Sequence, residues 1–197
     1  MLRILNFCEI LEKIIIWSGR STSWASLILV AVTLFDVISR RFFVLGSTKL
    51  QEAEWHLHTV LLMFVIAYGC LKDTHVRIDL VREQQTTRAK AWIDFVGGLT
   101  LLIPYSLLIL YTGFGFVKSS FILNEVSASM TGLPYRWVIK ATVLVAFILV
   151  LMAGISILIR HALYLFFGHD ESVLKSRIFL PVRVKTAGSD DGDNDGR

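Results

Sequence analysis

Few side chains in this sequence have the chemistry to hold a metal or a haem. They are five histidines (His56, His58, His75, His161, His169) and two cysteines, Cys8 and Cys70. Glu52 with His56, and Glu54 with His58, have the i,i+4 spacing that places two ligands on one side of a helix. The same spacing suits charges solvated by lipid headgroups at a helix end, which needs no metal. Asp36 and Arg40 stand four apart and are expected to form a local ion pair. His75, Arg77 and Asp79 alternate with apolar residues in the stretch after Lys72, which by spacing is a solvated turn. Glu125 and Ser127 precede Gly132-Leu133-Pro134. The cysteines lack CxxC or zinc spacing and read as free thiols. No nucleophile–base constellation or phosphate loop is visible, so neither catalysis nor a cofactor is expected.

The elements that must position these groups are membrane spans. In 197 residues, 54% are hydrophobic and 18% charged, with a mean hydropathy of +0.62, which does not fit a soluble domain. Runs at 21–39, 55–71, 91–117 and 137–167 reach or approach the roughly 20 residues that cross the hydrocarbon layer. The second is short, but Thr48-Lys49-Leu50-Gln51 reads as a capping box that starts its helix early. Pro104 is expected to kink the third run, and Pro134 to stand in the first turn of the fourth. Trp24, Trp55, Trp92 and Trp137 each stand near the start of a run, as interfacial anchors do.

Residues 1–20 read as an interfacial amphipathic helix. Arg3, Asn6, Glu9, Glu12 and Lys13 fall on one half, and Leu5, Leu11, Ile14 and Ile15 mostly on the other. Ser18-Gly19-Arg20-Ser21 is expected to break it before the first span. The acidic Glu9 and Glu12 speak against a cleaved signal peptide. The organisation is therefore an all-α membrane protein: an interfacial helix over 1–20, a four-span domain over 21–168, and a polar tail over 169–197, expected to be disordered from 188.

Net charge is +4, but the basic residues lie between apolar runs, so a nucleic-acid partner is excluded and the charge bears on topology. With the N-terminus inside, the inner segments hold fourteen Lys and Arg and the outer segments six, which places both termini in the cytoplasm. Residues 24–35, 59–71, 95–117 and 141–159 contain no Asp, Glu, Lys, Arg or His. Moving an ion or charged solute through a chain normally leaves ionisable groups at mid-membrane, so this one lacks the parts of a self-sufficient transporter. A membrane anchor for a redox enzyme is the rival reading. It is weakened by histidines that all lie at or beyond helix ends, where they cannot face a haem between helices.

Several patches together resemble one family. Leu50-Gln51-Glu52-Ala53-Glu54-Trp55-His56-Leu57 opens a span and His75-Val76-Arg77-Ile78-Asp79-Leu80 closes it. Pro104 lies in the next span, and Glu125-x-Ser127 with Gly132-Leu133-Pro134 precedes the last. With the Arg40-Arg41-Phe42-Phe43 ending of the first span, these resemble the small membrane subunit of tripartite ATP-independent periplasmic (TRAP) transporters, the DctQ-like family, over roughly 21–168. The resemblance implies a bacterial inner-membrane subunit that scaffolds a larger sodium-coupled permease subunit importing an organic acid or similar carboxylate. A periplasmic solute-binding protein and membrane lipid would be its other partners. Asp36, Arg40, Glu52, Glu54, His75, Arg77, Asp79 and Glu125 are the residues expected to act in partner contact or in structure.

Overall fold

The computed structural model describes residues 2–43, 47–72, 85–129, 131–168 and 173. They are all helical or in turns. Helix α1 is Leu2–Phe43 and α2 is Thr48–Lys72. Helix α3 runs from Thr87 to Ile122 in three parts: α-helical Thr87–Gly97, π-helical Gly98–Leu102 and α-helical Ile103–Ile122. Helix α4 is Trp137–Phe167. All four are long and apolar enough to cross a membrane.

Sequence and structure agree most closely for α4, whose apolar run, free of charge over 141–159, continues past Arg160 and His161 and ends at Gly168 in the left-handed conformation (φ +63°) that stops a helix. Helix α2 starts early, at Thr48, as expected, but the capping box does not form among the described residues: the Leu50 and Gln51 amides donate to the Ser47 carbonyl, and the Thr48 hydroxyl bonds Thr131 instead. Pro104 acts one turn earlier than a simple kink would. It sits at the start of the α-helical part Ile103–Ile122, and the preceding turn widens so that the Ile103 amide reaches back to the Gly98 carbonyl. A π-turn next to a residue that lacks an N–H and crowds the carbonyl before it relieves both problems. Pro134 does not lie in the first turn of α4, which begins at Trp137; the bend before it is made by Tyr135 at φ +61°.

The N-terminal expectation needs correction. No break occurs at Ser18-Gly19-Arg20-Ser21, and no separate amphipathic helix is present: α1 is one helix of 42 residues, about 63 Å at 1.5 Å per residue. The residues that punctuate chains in water serve packing here. The Ser18 hydroxyl donates to the Ile15 carbonyl at 2.8 Å and Thr22 to the Ser18 carbonyl at 2.8 Å, so neither competes with the helix. A Cβ on Gly19 would stand 3.0 Å from Tyr68 Cβ, so the glycine admits α2 to close range. Leu5, Cys8, Glu12, Ile15, Ser18 and Thr22 are buried along one stripe; Leu5 and Ile15 are inward and Arg3, Asn6 and Lys13 outward as the pattern expected, but Glu12 is inward and Ile14 outward against it.

Helix α4 lies at the centre and touches the other three; α1 packs along α2, and α3 packs on α4. The core joins Ile15 of α1, Ala67 of α2 and Leu149, Val150 and Ala153 of α4. Between α3 and α4 leucines enter places left by glycines in both directions. Leu102 faces Gly154, Leu158 faces Gly98 and Leu144 faces Gly113, each 2.7 to 3.0 Å from where a Cβ would stand. Close packing of this kind holds helices together where lipid offers no hydrophobic drive, and it works through single glycines without a G-x-x-x-G spacing.

Candidate functional site

Polar groups gather at the two ends of the bundle. At one end, the turn between α3 and α4 is fastened to the start of α2. Glu52 accepts hydrogen bonds from the Ser127 hydroxyl and, at 2.6 Å, from the Leu133 amide. Ser127 Oγ in turn accepts from the Ser129 amide at 3.2 Å, and Thr131 Oγ1 lies 3.1 Å from Thr48 Oγ1. Gly132 passes so close that a Cβ would strike Ser127 and stand 2.7 Å from Glu52 Oε1. The Glu125 carboxylate pairs with Lys140 on the first turns of α4, and its carbonyl accepts from the Arg136 amide at 3.1 Å. Lys140 Nζ also sits 3.8 Å over the Phe116 ring. The Lys140 ammonium, followed by the Ser120 hydroxyl, holds the Glu125 carboxyl below its ordinary value.

Nearby on α1, Asp36 is 4% exposed and pairs with Arg40 at 2.5 Å, as the spacing predicts. With its amide oriented to accept, Gln51 receives both Arg40 Nη hydrogens at 3.0 Å, linking α1 to α2. Asp36 Oδ1 and Glu54 Oε1 are buried without a hydrogen-bond partner among the described residues.

The opposite end carries a cluster that the sequence reading did not single out. Arg160 of α4 forms a bidentate pair with Glu12 of α1, Nε to Oε1 at 2.7 Å and Nη2 to Oε2 at 3.0 Å. The Ser156 hydroxyl donates to the same Oε1 at 2.7 Å, and Arg160 Nη1 donates to the Val173 carbonyl at 3.2 Å. Glu12 and Ser156 are fully buried and Arg160 is 3% exposed. The signal for this pair was opposite charges at the same end of two apolar runs, but finding it required knowing that residues 5, 8, 12 and 15 face inward. Beside it, Trp92, Phe95 and Phe166 meet edge to face with centroids 5.6 to 6.1 Å apart, and His161 Nε2 lies 3.6 Å from Asp94.

The structure therefore unites Glu52 with the 127–133 segment, Glu125 with Lys140, and Asp36 with Arg40. His75, Arg77 and Asp79 lie outside the described residues, as does the tail over 169–197 apart from Val173. The spacing that suited a metal is used otherwise: Glu52 holds the turn, and His56 Nδ1 lies 2.5 Å from the Glu52 carbonyl of its own helix. His161 Nδ1 likewise faces the Ile157 carbonyl at 2.8 Å. Among the described residues no three His, Cys, Asp or Glu side chains converge. What the arrangement does chemically is fasten helices.

No curated protein sequence matches the chain. A family model does: that of the DctQ component of tripartite ATP-independent periplasmic transporters matches residues 29–163. The match takes in all of α2 and α3, α4 up to Leu163, the last third or so of α1, and the whole fastening between Glu52 and the 125–136 turn. With four helices long and apolar enough to span a bilayer, the chain belongs to the DctQ family, the small membrane component of TRAP transporters.

Proposed function

We propose that this subunit is a rigid, non-catalytic brace against which a larger permease subunit moves. In this reading the permease carries sodium and an organic acid or similar carboxylate solute, delivered by a periplasmic solute-binding protein. One observation supports it above the others. Residues 24–35, 59–71, 95–117 and 141–159 lack any Asp, Glu, Lys, Arg or His, while outside these stretches Glu12–Arg160, Asp36–Arg40 and Glu125–Lys140 are engaged in ion pairs and Glu52 is bonded to a turn. Groups committed to holding helices together at both ends stiffen a bundle and leave no ladder of sites for an ion to cross. The basic residues favour both termini in the cytoplasm, which puts the Glu52 fastening on the periplasmic side and the Glu12–Arg160 pair on the cytoplasmic side.

The test separates bracing from coupling. Alanine at Asp36, Arg40, Glu52 or Glu54 is expected to change the yield of the complex or the turnover rate and to leave the sodium dependence of uptake as it was. A changed sodium stoichiometry in any of the four would place these residues in the ion path and refute the brace.

A further inference from the structure

Six glycines inside α1, α3 and α4 divide into two kinds. Gly19, Gly98, Gly113 and Gly154 each receive a side chain from a neighbouring helix. Gly97 and Gly115 have nothing within 4 Å of where a Cβ would stand. A glycine inside a helix costs about 1 kcal/mol relative to alanine, and at Gly115 no contact within this chain offsets that cost. Gly113 faces α4, so Gly115, two residues and 200° further round the helix, faces away from it. Leu108, Tyr111 and Lys118 share that outward side at i−7, i−4 and i+3.

Tyr111 is 83% exposed, and its hydroxyl has no partner among the described residues. It stands seven residues, about 10 Å, deeper along the axis than Lys118. Hydrocarbon cannot accept a hydrogen bond from a phenol, and it gains nothing from a missing side chain. The exposed side of α1 is different: Leu27, Val30, Leu34 and Phe35 present only apolar surface, which lipid satisfies. A second copy of this chain is also a poor fit. Two copies inserted in the same direction and packed through this face would bring Lys118 against Lys118 at one depth, and this lysine is exposed with no ion pair among the described residues to neutralise it.

Resting on the reading of the chain as a brace, we infer that the face of α3 formed by Leu108, Tyr111 and Gly115 is the seat of a transmembrane helix of the large permease subunit. That helix lies close over Gly115, offers an acceptor to the Tyr111 hydroxyl, and carries an acidic or carbonyl group toward Lys118.

The test uses the full complex, with this chain, the permease and the binding protein expressed together. Position 111, or separately position 34 on α1, is replaced by photoreactive p-benzoylphenylalanine. Illumination is expected to join this chain to the permease from position 111 and not from position 34. In parallel, Gly115→Leu is expected to lower the permease recovered with this chain about tenfold, because a bulky side chain blocks close approach. Its own yield should not fall, since a Cβ at this position stands in open space on the side away from α4. Val30→Leu on α1 is the control expected to change neither. A product of two copies of this chain from position 111, a permease product from position 34 alone, or no product from either would overturn the inference, as would unchanged permease recovery with Gly115→Leu. Such failures leave the brace standing as long as uptake still requires this subunit, whereas uptake without it would remove the brace itself.

Discussion

Replacing Glu12 by glutamine should be among the most destabilising isosteric changes in the chain. Among the described residues the carboxylate receives three hydrogen bonds, two from Arg160 at 2.7 and 3.0 Å and one from Ser156 at 2.7 Å, with both partners shut away from solvent. Glutamine keeps one acceptor oxygen but turns an amide donor toward a guanidinium that has only donors, and it takes the carboxylate charge away from the buried Arg160 guanidinium. Breaking a buried pair in this way costs about 3 to 5 kcal/mol, a factor of at least about a hundred in the unfolding equilibrium. Removing both charges is a different matter. Glu12→Leu with Arg160→Met should return to within about 1 kcal/mol of the native chain, because desolvation of both ions is removed together with their attraction. The assay is reversible unfolding of the purified subunit in mixed micelles, carried out on both single variants and the double variant as a cycle. If each single change costs under about 0.5 kcal/mol, or the double costs the sum of the singles, then water screens the pair and the reasoning from burial fails.

Glu52→Ala should free the turn before α4 from α2, since the Leu133 amide and the Ser127 hydroxyl lose their acceptor; hydrogen exchange at Leu133 should rise several-fold while exchange in mid-α4 stays unchanged. Because the Glu125 carboxyl is held low by Lys140, its contribution to stability is fully present above its ordinary value near 4.5 and is lost as pH falls through the lowered value. Limited proteolysis at the 123–136 turn should therefore accelerate only in acid below about pH 4.5; Glu125→Gln should weaken that pH dependence, and removing it should need Glu52→Gln as well, because Glu52, held low by Ser127 and the Leu133 amide, fastens the same turn. For topology, cysteines placed at Gln84 or Ser189, with Cys8 and Cys70 replaced, should resist an impermeant thiol reagent in intact cells, and ready labelling of either would reverse the orientation.

The spans were legible because an apolar run bounded by charge, tryptophan or glycine has one economical solution in a bilayer, as α4 between Trp137 and Gly168 shows. The error at Ser18-Gly19 has a physical source. Serine and glycine interrupt helices in water by offering the backbone other partners, but within a membrane bundle serine bonds back to its own helix and glycine lets a neighbour in. Pro104 announced an irregularity but not its form, since whether a helix bends or widens to a π-turn depends on what packs against it. At the site, Glu52 and the 125–134 segment were both visible as motifs, and the local Asp36–Arg40 pair was visible from spacing. That Glu52 is the group holding the turn required the fold, because 75 residues separate it from Ser127. The Glu12–Arg160 pair was hidden for the same reason, and because a charged residue among apolar neighbours near a chain end reads as surface until its helix is seen packed.

The central claim, that this subunit is required and yet conducts nothing itself, is tested most directly by solute uptake into vesicles reconstituted with permease, binding protein and this chain, each omitted in turn. Uptake is expected only when all three are present, and this chain alone should pass neither sodium nor solute. Full binding-protein-dependent uptake without it would show that the permease needs no brace, and uptake by this chain alone would show that spans free of ionisable residues can carry the solute.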